Sequence, residues 1–409
     1  MILQSQLRWN ITVSSGSLGA SQEAAQCRNF YRFMVEVLSS DHWMSDKLAT
    51  LPSVVPSLEY ESGEQRFRKL LGLEDLDQQI RATPALTEEF EATLSAAMNI
   101  AYNEVNHADV DAAHLFLQRI LYWINRLNLF WYDDLQHYQN ERSFYLQWVR
   151  DRIEAAWQDW EIRQFDLDRY RCLDVGQSLL ERAAADLNPP LSENKRYLQQ
   201  TMSLEGYRHL LAVASLDGLV EASRMSRILG GASNEIQAML IRVLLEEYGN
   251  GRFSRKHSTF FAKMMAELSL NTQPEFYFDL MPWQGLASIN HNFLLTERKK
   301  YFLRYNGGLT YFEIAGPSIY RDYMLAAQRL GLSDTAMGYW ELHIREDERH
   351  GQQMLHQVAL PLAEMYPENA WELVLGYDQE KQMGDRAGAA ILGCIQAAEQ
   401  SGTTLPRFP

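Results

Sequence analysis

The sequence predicts an all-α protein. Apolar residues recur at helical spacing almost throughout, period-two runs rich in Val, Ile and Thr are nearly absent, and no repeat of roughly 20–50 residues points to a solenoid. At 409 residues the chain exceeds one ordinary domain of roughly 100–200 residues, so two are expected. A weakly patterned arm covers about the first twenty residues. Long helical patterns follow in DVDAAHLFLQRILYWINRLNLFWYDDLQHY and NERSFYLQWVRDRIEAAWQDWEIRQF. In ADLNPPLSENK, Ala185 to Lys195, the Asn-Pro-Pro and the polar residues after it stop a helix and favour an extended connection. The expected division is an N-terminal helical domain over residues 1–190 and a C-terminal helical domain over 191–409. Beyond the break, Gly230-Gly231 should end one helix, Ser233 cap the next, and Gly249-Asn250-Gly251 interrupt the one after. Gly307-Gly308 and Gly331 should bracket another helix, with Ser333 or Asp334 capping the one that follows.

The composition excludes several partners. The chain carries 38 Lys and Arg against 53 Asp and Glu, a formal net charge of −15. Nucleic acid and anionic membranes require clustered cations, so neither is expected. Cys27, Cys172 and Cys394 are far apart and odd in number, which fits a reducing, cytoplasmic setting and not a disulfide or zinc framework. The N-terminus lacks a basic start before an apolar core, and no stretch approaches ~20 uncharged apolar residues. Neither a signal peptide nor a membrane span is expected, and Asn10-Ile11-Thr12 is a glycosylation sequon by spelling only.

The chemistry concentrates in YWELHIREDERH, Tyr339 to His350. At about 100° per residue, His343, Asp347 and His350 fall on one helix face, continued by Trp340, Met354 and Val358. Arg345, Glu346, Glu348 and Arg349 fall largely elsewhere and can pair in solvent. Buried polar groups need partners, and a divalent metal supplies one for all three; separately satisfied polar residues are the alternative. Other helices place carboxylates and a histidine on apolar stripes in the same way. Glu221 interrupts the stripe Leu211, Ala214, Gly218, Met225, Ile228, and Glu247 ends the stripe Ile236, Leu240, Val243. The neighbouring Glu246 reads as a surface pair with Arg242. His257 lines up with Phe261, Met264 and Leu268, and Glu313 stands just before Gly316-Pro317, where the proline frees backbone groups. Singly, each glutamate is more often a rim residue or an ion-pair partner than a ligand. Together, four carboxylates and three histidines form the donor set that two iron ions in a helical bundle require, and the charges balance two ferrous ions.

These residues resemble the haem-oxygenase-like di-iron oxidases and oxygenases, the iron-containing redox enzymes. The likeness rests on the 26-residue separation of Glu221 and Glu247, the segment EYGNGRFSRKH ending at His257, Glu313 ahead of a helix closing in RLGL, and the final HIREDERH. It covers roughly residues 200–375. It implies a haem-oxygenase-like helical bundle without haem, with Glu221, Glu247, His257, Glu313, His343, Asp347 and His350 as ligands. Some members carry a further carboxylate where this chain has Ser254. The resemblance further implies two labile Fe(II) ions, O2 as co-substrate, an external electron donor, and N-terminal helical additions that support a homodimer.

Tyr305, Tyr311, Tyr320 and Tyr323 crowd the segment around Glu313, and Trp340 lies one turn before His343. Core packing with phenol groups at the rim is the preferred reading of them, and a pocket wall the alternative. Tyr320, Trp340 and Arg224 are the candidate substrate contacts, Arg224 through a bidentate grip on a carboxylate, although a plain surface arginine is an equal reading. In HADVDAAH, His107 to His114, a capping role for Asp109 or Asp111 is preferred to metal binding. The run YWINRLNLFWYDDLQHY is expected in a core or a dimer interface. The expected function is O2-dependent N-oxygenation, desaturation or oxidative C–C cleavage of a small amino-acid-like or amine metabolite in specialised metabolism. Fatty-acid decarboxylation at the same centre and a metal-free helical interaction protein are the alternatives. Haem binding is disfavoured, since one axial histidine leaves four carboxylates unexplained.

Overall fold

Helices follow the apolar spacing from Leu58 to Ser401. The computed structural model describes residues 58–104, 107–129, 135–231 and 234–408. The N-terminal arm, the sequon at Asn10, Cys27 and Ser233 lie outside the described residues. Among those described, every regular element is a helix, which bears out the all-α class. In chain order the α-helices are α1 (Leu58–Leu71), α2 (Leu76–Ala82), α3 (Ala85–Asn103), α4 (Val110–Asn125), α5 (Phe144–Ile162), α6 (Leu167–Arg171), α7 (Val175–Leu187) and α8 (Glu193–Arg196). There follow α9 (Leu204–Gly218), α10 (Glu235–Glu247), α11 (His257–Glu267), α12 (Trp283–Glu297), α13 (Phe302–Arg329), α14 (Asp334–Gln353), α15 (Leu360–Met365) and α16 (Trp371–Ser401). No described helix is long and apolar enough to cross a membrane.

Side-chain caps set several starts. Ser143, Ser203, Asn234 and Ser333 accept from the backbone N–H groups of Leu146, Gly206, Gln237 and Ala336. Each satisfies a donor that the helix itself leaves open, worth about 1 kcal/mol. The expected stops at Gly231 and Gly331 appear, with φ of +124° and +70°.

Four expectations need correction. The helical pattern over residues 109–138 ends as α-helix at Asn125, where a tight turn over Arg126–Asn128 leads into an extended Leu129. The side chain of Asp109 makes no cap bond, and Asp111 instead accepts from the Trp283 indole at 2.9 Å. The stripe carrying Glu221 is not one helix: α9 stops at Gly218, and Ala222 takes a left-handed conformation before a short tight helix over Ser223–Ile228. Finally, Gly307 and Gly308 lie inside α13, which starts at Phe302. Their role is packing, since a Cβ at Gly307 would lie 1.9 Å from the Leu373 carbonyl oxygen of α16.

That crossing organises the fold. Helix α13 runs through the middle, packed along α16 on one side and α14 on another, and α11 lies against α14. The core joins Leu179 of α7, Met239 and Val243 of α10, Ile314 of α13 and Leu373 and Tyr377 of α16. Helices α1, α3 and α4 pack together, and α4 lies along α12. There Asn125 donates to Asn290 at 3.1 Å, and the buried His114 stacks on Trp283 at 4.2 Å. Tyr122 and Arg126, from the aromatic run, bond to Glu275 at 2.9 and 2.6 Å, while residues 130–134 of that run lie outside the described set.

Replacing Gly307 by alanine forces a methyl group into the α13–α16 crossing. The expected cost is about 1–3 kcal/mol, read as a lower midpoint of thermal unfolding. An unchanged midpoint contradicts the close approach.

Candidate metal centre

Local breaks in the chain deliver the candidate ligands. Helix α10 ends on Glu247 because Gly249, Asn250 and Gly251 take φ of +61°, +53° and +76° in succession. A Cβ at Gly249 would stand 2.4 Å from the Arg255 carbonyl carbon, so glycine is what lets the loop fold back on itself and start α11 on His257. Glu221 is presented from the break after α9. Glu313 lies inside α13, which continues through Pro317; that proline has no N–H to give the Glu313 carbonyl, and Gly351 of α14 packs against this oxygen. Helix α14 contributes His343, Asp347 and His350, all buried on one face.

All seven predicted residues converge. His257 Nδ1 lies 2.8 Å from Glu247 Oε2 and 3.1 Å from His343 Nε2. His343 Nε2 is 3.8 Å from Glu221 Oε2. On the other side of Glu247, His350 Nδ1 lies 3.7 Å from Glu247 Oε1, 3.5 Å from Glu313 Oε2 and 3.7 Å from Asp347 Oδ1. Three groups of potential ligand atoms result among the described residues: Glu221, Glu247, His257 and His343; Glu247, Asp347 and His350; and, nearer the surface, Glu246, Glu346 and His350. Within each group the atoms lie within 4.8 Å of one another, and Glu247 belongs to the first two.

The histidines are oriented by groups outside the cluster. The Tyr339 carbonyl lies 2.9 Å from His343 Nδ1, and a carbonyl can only accept, so Nδ1 carries the proton and Nε2 is left with its lone pair. His350 Nε2 lies 2.8 Å from Glu246 Oε2, which turns its Nδ1 towards the carboxylates. Glu246 was read from sequence as a surface pair with Arg242; it keeps that contact at 3.2 Å, and it also pairs with Arg349. Its adjacency to Glu247 is the one signal that could have found it. Tyr339 was also missed: its hydroxyl donates to Glu221.

Four atoms of the cluster are buried with no hydrogen-bond partner: Glu221 Oε1, Glu313 Oε2, Asp347 Oδ2 and His350 Nδ1. Unpaired buried polar atoms are costly, and three of these are carboxylate oxygens. Burial, followed by repulsion from Glu247, holds Glu221 well above the usual carboxylate range. Burial and then Glu313 do the same for Asp347, and burial raises Glu313. For Glu247 burial acts in the same sense, but the His257 contact and the histidine charges hold it below the usual value. Burial brings His343 down to about 4. It opposes the rise of His350, which the Glu313 and Glu246 carboxylates nevertheless carry to about 9. A cation is the partner these atoms lack, and oxygen with imidazole nitrogen is a donor set suited to iron. The residues therefore fit a metal pair.

A cavity of about 370 Å³ opens beside the cluster, its wall including Glu221, Glu247, Glu313, His343 and Asp347. Tyr320, Tyr323 and Tyr305 line it with Trp340, whereas Tyr311 packs against Tyr377 in the core. Tyr320 stacks on Trp340 at 5.6 Å, and the Trp340 indole donates to the Tyr207 hydroxyl at 2.6 Å. Arg224 is buried in this wall and is not a surface residue. Its Nε donates to Asn292 at 2.9 Å and its Nη2 to Asp217, so a bidentate contact with a ligand is not open to it. Ser254 is exposed and joins neither ligand group.

Carboxyls held above their usual range keep protons that a bound cation must displace. Proton release makes apparent metal affinity rise with pH, and calorimetry in buffers of different ionisation heat should detect protons leaving as metal binds. Heat independent of the buffer contradicts this. Glu246→Ala should weaken metal binding about 10–100-fold by releasing His350, whereas Arg345→Ala, on the exposed face, should not. Equal effects from the two variants contradict the assigned role of Glu246.

Comparison with known proteins finds similarity over the region that holds this cluster. A nitrosourea synthase from Streptomyces achromogenes subsp. streptozoticus is 29% identical over 175 residues, which are 41% of this chain and 37% of that protein. The chain thus matches less than half the length of this relative. The sequence model described as iron-containing redox enzyme matches residues 208–384, close to the stretch over which the motifs carry the likeness. This region, which resembles the iron-containing redox enzymes over that stretch, holds all seven converging residues.

Proposed function

We propose that the chain is a non-haem di-iron, O2-dependent oxidase or oxygenase acting on a small amino-acid-like or amine substrate. The observation that carries this reading is the shared position of Glu247 between two groups of ligand atoms. Glu221, His257 and His343 would hold one ion, Asp347, His350 and Glu313 the other, and Glu247 would touch both. Bound ferrous ions supply the electrons for reduction of O2. The chain's own residues do the rest. Tyr339 and Glu246 keep the two imidazoles in the tautomers that leave Nε2 of His343 and Nδ1 of His350 free. Tyr320, Tyr323, Tyr339 and Trp340 line the cavity beside the cluster.

The polar groups on the cavity wall, Arg224, Asp217, Asn292 and Glu380, support a polar metabolite over a plain alkyl chain. The described activity of the streptomycete relative supports a nitrogen-bearing one. Four orphaned cluster atoms weigh against a metal-free protein whose polar residues merely satisfy each other.

Anaerobic loading with Fe(II) should give about two ions per chain and raise the unfolding midpoint by linkage. Asp347→Ala should lower the iron content and abolish substrate-dependent O2 consumption. Wild-type iron content and O2 uptake in that variant sink the proposal.

A further inference from the structure

The turn between α10 and α11 presents a surface that the cluster does not use. Between Glu247 and His257 the chain reads YGNGRFSRK, and three of the last five residues are basic. Arg252, Phe253 and Arg255 are exposed, and Phe253, at 80%, is the most exposed large apolar side chain among the described residues. Neither arginine makes an ion pair or a side-chain hydrogen bond with any described residue. The acids nearest in sequence are turned elsewhere, Glu246 to Arg242 and Arg349 and Glu247 to His257. The backbone beneath is held. The Arg255 N–H donates to the Arg252 carbonyl at 2.8 Å, and the Phe253 carbonyl accepts from the Lys256 N–H at 3.1 Å and the Thr259 hydroxyl at 2.8 Å. A fixed backbone lowers the ordering cost of binding through these side chains.

We propose that this turn docks a compact acidic protein carrying a one-electron cofactor, which reduces the iron pair. Charge selects the class of partner. Two unpaired arginines form a small positive island on a chain whose net charge is −15. A flat anionic membrane or a long nucleic acid also meets the acidic remainder of the chain, whereas a compact acidic protein can cover the island alone. Arginine and aromatic rings carry much of the binding energy at protein interfaces, and transient redox encounters use small footprints. Position gives the contact its purpose. Phe253 is four residues from His257 and six from Glu247, and four residues span at most about 14 Å, so a protein seated here lies close to the cluster. Ferrous ions that have reduced O2 are left ferric. Each docking passes one electron, two return the pair to the ferrous state, and no bond is made or broken.

This inference rests on the di-iron reading for its purpose but not for its first test. Binding of a plant-type [2Fe–2S] ferredoxin and of a flavodoxin, both acidic, to the full iron-free chain is measured by surface plasmon resonance, beside vesicles of phosphatidylglycerol. At least one of the two proteins should bind, with an affinity that falls roughly tenfold or more between about 0.02 M and about 0.3 M salt. Arg252→Glu with Arg255→Glu should abolish this binding, and Phe253→Ser should weaken it while leaving its salt dependence. Arg142→Glu with Arg169→Glu, at exposed positions elsewhere, changes the net charge equally and should retain most of it. In the iron-loaded, air-oxidised chain, the first double variant should keep its iron content and its reduction by dithionite, and lose reduction by the protein that docks. No binding by either protein, equal loss in the two double variants, or tighter binding to the vesicles overturns the proposal. Iron uptake without docking refutes only this inference, and docking at the turn without iron uptake refutes only the di-iron reading.

Discussion

Four carboxylates and three imidazoles buried around one point are the constraint to which the rest of the structure answers. Charge in a poorly hydrated interior is expensive unless it is paired, and like charges at this spacing repel. The cluster lowers that cost only partly from within: His257 pairs with Glu247, and Tyr339 donates to Glu221. Oxygens of Glu221, Glu313 and Asp347 and the Nδ1 of His350 remain without a hydrogen bond. A frame must hold such groups together against their repulsion. The close crossing of α13 with α16, and the packing of α14 along α13, are the rigid parts of that frame.

The chain meets this demand by placing the candidate ligands at helix ends as well as within helices. Glu221, Glu247 and His257 stand at or beside breaks, where side chains approach from directions that a continuous helix does not offer. Glu313 and the three residues of α14 come from unbroken helices, and the three of α14 share one face. Outside the ligands, Glu246 and the Tyr339 carbonyl fix the orientation of the two α14 histidines. Arg349 in turn holds Glu246 near 2.9 Å, so the surface of α14 is tied to its buried face.

Much of this was legible before the structure. A 3.6-residue period places His343, Asp347 and His350 on one face whatever surrounds the helix, and the left-handed run at Gly249 to Gly251 requires a break that glycine and asparagine announce. The remainder was set by tertiary contact. Glu246 lies beside a ligand but reads as a surface residue, because nothing local says that His350 will reach it. Gly307 looks like a helix stop until the Leu373 carbonyl occupies the space of its missing side chain. Asp111 looks like a cap until Trp283 claims its oxygen from far along the chain. The apolar stripe through Glu221 ran on in sequence across a break at Gly218 to Ala222 that only the fold reveals.

The central claim is that Glu247 stands between two ions. Diffraction from Fe(II)-loaded crystals, collected on either side of the iron absorption edge, tests it most directly. The account predicts two anomalous peaks, both within bonding distance of Glu247, one beside His257 and His343 and the other beside Asp347 and His350. A single peak, or two of which Glu247 touches only one, contradicts it.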